Sequence, residues 1–248
     1  MRIIGLWGAF LIVSAGLLAT GTAQTQTDVL KTTAGDLKIT PIRHASLMLE
    51  WAGTVIHVDP WGQADYSVLP KADLILITDT HGDHLDLKAI AGITKKETIV
   101  VGSEEVAKSV TTARGLANGS STEIDLGGKK LKIEAVPAYN MTRGPSPGQY
   151  YHPKGRGNGY VLAFGDRSIY ISGDTECIPE MAGIRNIDVA FLCMNLPYTQ
   201  TPQEAAECMK KVRPKVVYPY HFRGQDVKLF EEALRGEKDI EVRLRNWY

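Results

Sequence analysis

From Leu37 onward the chain alternates short apolar runs with polar or glycine breaks. LKIT (37–40), SLMLEW (46–51) and TVIHVD (54–59) predict strands bounded by turn residues. DLILIT (73–78) is apolar almost throughout, the pattern of a strand covered on both faces. LDLKAIAGI (85–93) has helical spacing, with Asp86 near its start, where a carboxylate suits the helix N-terminus. ETIVVG (97–102) predicts another strand, and SEEVAKSVTTARG (103–115) a helix capped by Ser103 and stopped by Gly115.

The second half repeats the style. KKLKIEAVPAY (129–139), GYVLAFG (159–165), RSIYISGD (167–174), DVAFLCMN (188–195) and KVVYPYH (215–221) predict five strands. Helices are expected in TPQEAAECMKKV (201–212), with Thr201 as cap and Pro202 at the first helical position, and in DVKLFEEALRG (226–236). Grouped strands with helices between some of them predict an α/β sandwich of two sheets rather than a strict βαβ barrel.

The chain has 248 residues, 44% of them hydrophobic, enough for one full-sized core. Its 28 basic and 28 acidic residues balance, which gives no electrostatic reason to expect nucleic acid or an anionic membrane as partner. Residues 1–23 carry an early Arg2, an apolar stretch and small residues ending in Ala23, the layout of a secretory signal peptide. An uncleaved anchor competes with this reading, but the small residues stand where a peptidase needs them. The expectation is therefore an exported protein, periplasmic or secreted, with one domain over 24–248 and no stable membrane insertion after cleavage. Cys177, Cys193 and Cys208 have no CxxC spacing, and an odd number leaves at least one free thiol; core positions or one disulfide account for them.

Polar residues capable of chemistry gather where the apolar runs end. DTHGDHLD (79–86) places two histidines and three aspartates directly after DLILIT, and Asn140, Asp174 and His221 follow three other strand candidates. Strand ends on one side of a sheet converge, so these residues can share one site. Histidine nitrogen with carboxylate oxygen suits zinc, and also manganese or iron. His44 and His57 lie within or beside strands and read as structural, with a supporting role open for His57 beside Asp59. In YYHPKGRGNGY (150–160), Lys154 and Arg156 among glycines predict contact with an anionic group; a solvated hairpin loop is the alternative.

Taken together, these motifs resemble the metallo-β-lactamase superfamily of hydrolases. Asp79-Thr80-His81-Gly82-Asp83-His84 aligns with that family's His-x-His-x-Asp-His, VIHVDPW (55–61) with its strand ending in Asp-Pro, ISGDTE with its bridging aspartate at Asp174, and YPYHF with its terminal histidine at His221. The resemblance spans about Leu37 to the C-terminus. It implies a four-layered αβ/βα sandwich with the site along one edge, and leans toward the subgroup with ascorbate-phosphate lactonases and N-acyl-phosphatidylethanolamine phospholipase D. It also implies a metal position of Asp83, His84 and His221 with Asp174 shared, and another of Asp79, His81 and Asn140, where the family carries histidine in place of Asp79 and Asn140. His152, in the loop beyond Asn140, is a substitute ligand or substrate contact. The implied activity is metal-dependent hydrolysis of a small-molecule ester, lactone or phosphodiester, with one or two zinc ions, and with Asp83 and His81 as the catalytic pair. A non-hydrolytic ligand-binding protein is the alternative, and a true β-lactamase the weaker one, since the His-x-His pair and middle histidine are incomplete.

Overall fold

The computed structural model of the protein describes residues 26–248; the leader expected over residues 1–23 lies outside the described residues. Strands β1 (Asp28–Leu30), β2 (Leu37–Arg43), β3 (Ser46–Trp51) and β4 (Thr54–Val58) pair antiparallel in order. Strands β5 (Leu74–Leu76), β6 (Ile99–Ser103) and β7 (Arg114–Leu116) extend that sheet in parallel from β4. The second sheet repeats the plan. In it β8 (Ser121–Asp125), β9 (Lys130–Ala138), β10 (Gly157–Phe164) and β11 (Arg167–Ile171) pair antiparallel. Strands β12 (Val189–Cys193), β13 (Val216–Tyr220) and β14 (Glu241–Val242) then follow in parallel from β11.

Side-chain alternation builds the layers. Leu74 and Leu76 of β5 face a core shared with Val189, Phe191 and Cys193 of β12, so the two sheets meet face to face. Ile75 and Ile77 point the other way, onto α1 (Leu87–Ile93) and α2 (Glu104–Ser109) through Ile90, Ile93 and Val106. Ala190 and Leu192 likewise pack under α3 (Pro202–Val212) and α4 (Val227–Leu234) through Ala205, Met209 and Phe230. Both faces of the parallel strands are therefore covered, which is why DLILIT and DVAFLC are apolar without alternation. The result is a four-layered αβ/βα sandwich. Among the described residues no helix is long and apolar enough to cross a membrane.

The caps follow the sequence. Asp86 accepts from Lys88 N and Ala89 N to start α1, and Thr201 with Glu204 forms a capping box on α3 behind Pro202. One helix is shorter than its pattern. The helix expected over 103–115 is capped by Ser103 but ends after Ser109, and Gly115 lies in β7 rather than at a helix stop. Val110, Thr111 and Thr112 form a β-branched run that loses side-chain freedom in a helix, and the chain turns there to pair beside β6. Cys177 and Cys208 form a disulfide that ties the segment after Asp174 to α3, and Cys193 is a buried free thiol.

Candidate metal centre

The exits of β5, β9, β11 and β13 lie together at one edge of the sandwich. After β5 the chain turns tightly, with Leu85 N donating to His81 O at 2.8 Å and His81 N to Asp79 Oδ1 at 2.9 Å. The turn buries His84 and leaves His81 and Asp83 facing solvent. Three groups of candidate ligands form among the described residues, His84 with Asp174 and His221, His44 with Asp83 and the same His221, and Asp79 with His81 and His152; within each the donor atoms lie within 4.8 Å of one another, and the first two merge at His221.

In the first group His84 Nε2 is 3.1 Å from His221 Nε2 and 3.4 Å from Asp174 Oδ2, and His221 Nε2 is 3.4 Å from Asp174 Oδ1. Behind His84 stands Asp59, whose carboxylate also accepts from Thr78 N at 2.7 Å and Thr78 Oγ1 at 2.6 Å. An ionised carboxylate only accepts, so His84 Nδ1, at 2.9 Å, donates to Asp59, and Nε2 faces His221 and Asp174. Burial disfavours charge on His84, yet the Asp174 and Asp59 carboxylates outweigh it and hold its pKa well above the ordinary value. The pocket favours a positive charge at that nitrogen.

Asp83 completes this group from the solvent side, with Oδ2 3.5 Å from His221 Nε2. The same oxygen lies 3.0 Å from Nε2 of His44. Tyr248 Oη accepts from Phe222 N and so donates to His44 Nδ1 at 2.7 Å, which leaves His44 Nε2 as the donor to Asp83. Burial pushes the His44 pKa down to about 4, so it stays neutral in this role. Burial raises the Asp83 carboxyl, but hydrogen bonds from His221 and His44 and the nearby His84 hold it well below the usual range. Strain concentrates here: His44, Asp59 and His221 are three of the six described non-glycine residues with positive φ.

The third group is supported differently. Asn140 Nδ2 donates to Glu176 Oε1 at 3.0 Å and to Tyr198 O at 2.9 Å, so its Oδ1 is the acceptor for His152 N and His152 Nδ1, at 2.8 and 2.6 Å. Asn140 is thus occupied holding His152 and does not present a ligand atom, which corrects its expected place in the ligand set. His152 takes that place. Its Nε2, bare and buried, has no hydrogen-bond partner although Asp174 Oδ2 is 3.0 Å away, and Asp174 Oδ1 is also unpartnered. Two acceptors this close call for a cation between them. Asp79 is engaged through both oxygens by Arg156, at 3.0 and 3.1 Å from Nη2.

The loop residues expected to meet substrate separate. Arg156 lies in the site but is spent on Asp79, while Lys154 binds Glu180 at 2.6 Å over the Tyr139 ring and does not line the cleft. His57 bonds Pro70 O at 3.0 Å, away from the ligands. Three contributors escape sequence reasoning. Glu176 gathers Asn140 Nδ2 and the Met141, Thr142 and Arg143 amides on one carboxylate, His44 orients Asp83, and Arg223 lines the cleft beside Asp83. Glu176 directly follows the Asp174-Thr175 pair, a signal that was available; His44 and Arg223 offered none. The cleft, about 290 Å³, is walled by Tyr151, Tyr198 and Arg223, and its floor carries His81, Asp83, His152 and Asp174.

A face-to-face pair of αβ halves with His and Asp donors at one edge defines a class of metal-dependent hydrolases, and comparison with known proteins agrees. Residues 38–221 match the beta-lactamase superfamily domain. A UPF0173 metal-dependent hydrolase of Pelotomaculum thermopropionicum is 29% identical over 229 residues, covering 84% of this chain and 96% of that protein. One from Pyrobaculum islandicum is 30% identical over 222 residues, covering 81% and 93%. A crystal structure from Parabacteroides distasonis, of a protein provisionally named a metal-dependent hydrolase, superposes with a TM-score of 0.83 at 45% identity over 89% of this chain and 98% of that one. The chain belongs to the metallo-β-lactamase superfamily. It is a metal-dependent hydrolase of that fold.

Proposed function

We propose that the protein is an exported zinc hydrolase of small anionic esters, lactones or phosphodiesters, akin to the lactonase and N-acyl-phosphatidylethanolamine phospholipase D-like subgroup. The observation that carries the reading is the convergence of His84 Nε2, His221 Nε2, His152 Nε2 and both oxygens of Asp174 on one small volume, with His152 Nε2 and Asp174 Oδ1 left without a hydrogen-bond partner. His84, His221, Asp83 and Asp174 would hold one cation, and His81 and His152 with Asp174 a second; nitrogen and carboxylate donors in this mixture suit zinc, with manganese or iron as outcomes of metal analysis. A divalent cation bound there supplies Lewis acidity and lowers the pKa of an attacking water toward about 7.

The chain's own residues do the rest. Asp83, ionised and fixed by His44, faces the cleft and orients the water by accepting a hydrogen bond from it. Arg223 lines the same cleft over the Trp61 ring, 5.6 Å from its centroid, with no carboxylate within ion-pair distance among the described residues, and receives the substrate's anionic group. Tyr151 and Tyr198, packed edge to face at 5.0 Å, offer the apolar wall for the remainder of a small molecule. Export is supported by the Cys177–Cys208 disulfide, which suits an oxidising compartment.

Zinc-loaded protein assayed on a chromogenic phosphodiester and a γ-lactone tests the reading. The Asp83→Asn variant should lose on the order of 10²–10⁴-fold in kcat/KM, and parent-like turnover in that variant would refute the role of Asp83. Bound zinc without turnover on either substrate would turn the reading to a ligand-binding protein. For export, residues 1–30 fused to a reporter active only outside the cytoplasm should give signal, and a silent fusion refutes secretion.

A further inference from the structure

Arg156 is the charged group at this centre that the proposed chemistry leaves without a task. It stands at the entry to β10, where Asn158 N donates to Thr78 O at 2.8 Å and ties that strand to the exit of β5. The approach requires a glycine between them. A Cβ on Gly157 would lie 2.8 Å from Thr78 O and 3.0 Å from Asp79 Oδ2. Arg156 is thereby set against a buried carboxylate, with Nη2 at 3.0 and 3.1 Å from the two Asp79 oxygens and Nε at 3.3 Å from Oδ2. Nη2 also lies 3.3 and 3.2 Å from the two ring nitrogens of His81.

This fixes the electrostatics of one pocket and leaves the other untouched. A guanidinium does not lose its proton in a protein, so its charge stays beside Asp79 and His81 under all ordinary conditions. A divalent cation entering between His81 and His152 must do without Asp79, share it with that charge, or displace the charge from a charge-assisted pair. The His84 pocket faces no such competitor: its carboxylates pair with histidines, and no Arg or Lys forms an ion pair with Asp59, Asp83 or Asp174 among the described residues.

We infer that Arg156 is an electrostatic latch on the second cation pocket, holding Asp79 out of the ligand set so that the protein binds one divalent cation tightly and a second weakly. The inference rests on the metal-hydrolase reading above and assigns an asymmetry within it. Arg156 then supplies in fixed form part of the positive charge that a second cation would bring beside His81.

Calorimetric titration of chelator-treated full-length protein with zinc alone decides it, together with zinc content after gel filtration. The parent should show one tight equivalent and a second weaker by on the order of 10–100-fold, the scale on which partners of metal ligands act. Arg156→Met should tighten the second equivalent by about 10–100-fold and leave the first unchanged, the unchanged first equivalent also reporting that the variant is folded. Adding Asp79→Asn to Arg156→Met should abolish that gain, because the freed carboxylate is the recruited ligand. Arg156→Lys, which cannot reproduce the planar fork, should fall between. Two equally tight equivalents in the parent overturn the latch. A second equivalent unmoved in both Arg156 variants, or a gain that survives Asp79→Asn, does the same. A parent that binds no zinc at all refutes the hydrolase reading itself.

Discussion

The two ligand pockets share the Asp174 carboxylate and differ in what stands behind their other donors. Behind His84 is a carboxylate, Asp59, buried completely; burial raises its pKa, and hydrogen bonds from His84 and Thr78 offset part of that rise. Behind His152 is a neutral amide, Asn140, itself held by Glu176. A carboxylate behind a ligand raises the basicity of the imidazole as well as orienting it, whereas an amide chiefly orients. Exposure runs the same way. His84 and His221 are fully buried, but the His81 side chain is 44% exposed and its neighbour Asp79 belongs to Arg156. On the proposed reading, the first pocket would hold its cation and the second would admit a further charge or a substrate atom while staying ordered. The departures from the expected histidine pattern, Asp79 and Asn140, both fall at the second pocket, where Asn140 stands behind His152.

The largest effect that can break this comparison comes from the His84 pocket itself. His84→Ala or His221→Ala should abolish the tight zinc equivalent, a loss of at least about 100-fold in affinity, since changes one step behind a ligand already cost 10–100-fold. His152→Ala should leave that equivalent in place. Metal content of the purified variants reads both, and equal losses from His84→Ala and His152→Ala would erase the distinction between the pockets. One step smaller, Asp59→Asn keeps the volume but puts a neutral amide behind His84, the arrangement already present behind His152. It should weaken the tight equivalent by on the order of 10–100-fold. Unchanged affinity would show that the charge of Asp59 is immaterial. Asn140→Ala should act less on metal than on rate. It frees the His152 ring and leaves Glu176 one donor short, so kcat should fall by about 10-fold with the tight equivalent retained, in keeping with loss of a ligand's orienting partner; loss of that equivalent would place Asn140 in the wrong pocket.

How much of this was readable beforehand differs between the two pockets for a physical reason. Asp79, His81, Asp83 and His84 all fall within six residues of the end of one buried apolar run, and Asp174 and His221 close behind two others, so the strand that carries the residue also declares it. The same signal located β5, β9, β11, β12 and β13, and the caps at Asp86, Thr201 and Ser103. His152 follows no strand. It sits in a loop between β9 and β10, and its place depends on a hydrogen bond to Asn140 twelve residues earlier, which no local pattern announces. Arg156 reads from sequence as a contact for an anionic substrate group, because its actual partner, Asp79, is 77 residues away. His44 was read as structural because its tie to Asp83 spans 39 residues and its tie to Tyr248 spans 204. Short strands such as β1 and β14 left no periodicity to read, since two or three residues cannot show alternation. The overextended helix at 103–115 shows the converse, a local pattern overruled by pairing of β7 with β6.

The smallest effect sharpens the comparison by removing the site from it. His57 is a buried histidine of β4 that touches none of the candidate ligands, so it isolates what burial alone does to an imidazole. Burial holds its pKa below the ordinary value, and the hydrogen bond to Pro70 O recovers only part of the shift. Above about pH 6.5, where the unfolded imidazole is also neutral, the group contributes no pH dependence. As pH falls through that value the unfolded chain binds a proton that the folded chain refuses, so the unfolded state holds more protons and stability declines, by at most about 1.4 kcal/mol per pH unit for one group. The loss ends only where the folded imidazole itself protonates. Urea denaturation of zinc-loaded protein at pH 7.5 and 5.5 should therefore show a larger drop for the parent than for His57→Gln, which keeps a donor near Pro70 but does not titrate. The site histidines are common to both proteins and cancel in the difference. Identical drops would mean that the buried imidazole protonates as readily folded as unfolded, and that the pH response of this fold resides in the metal centre alone.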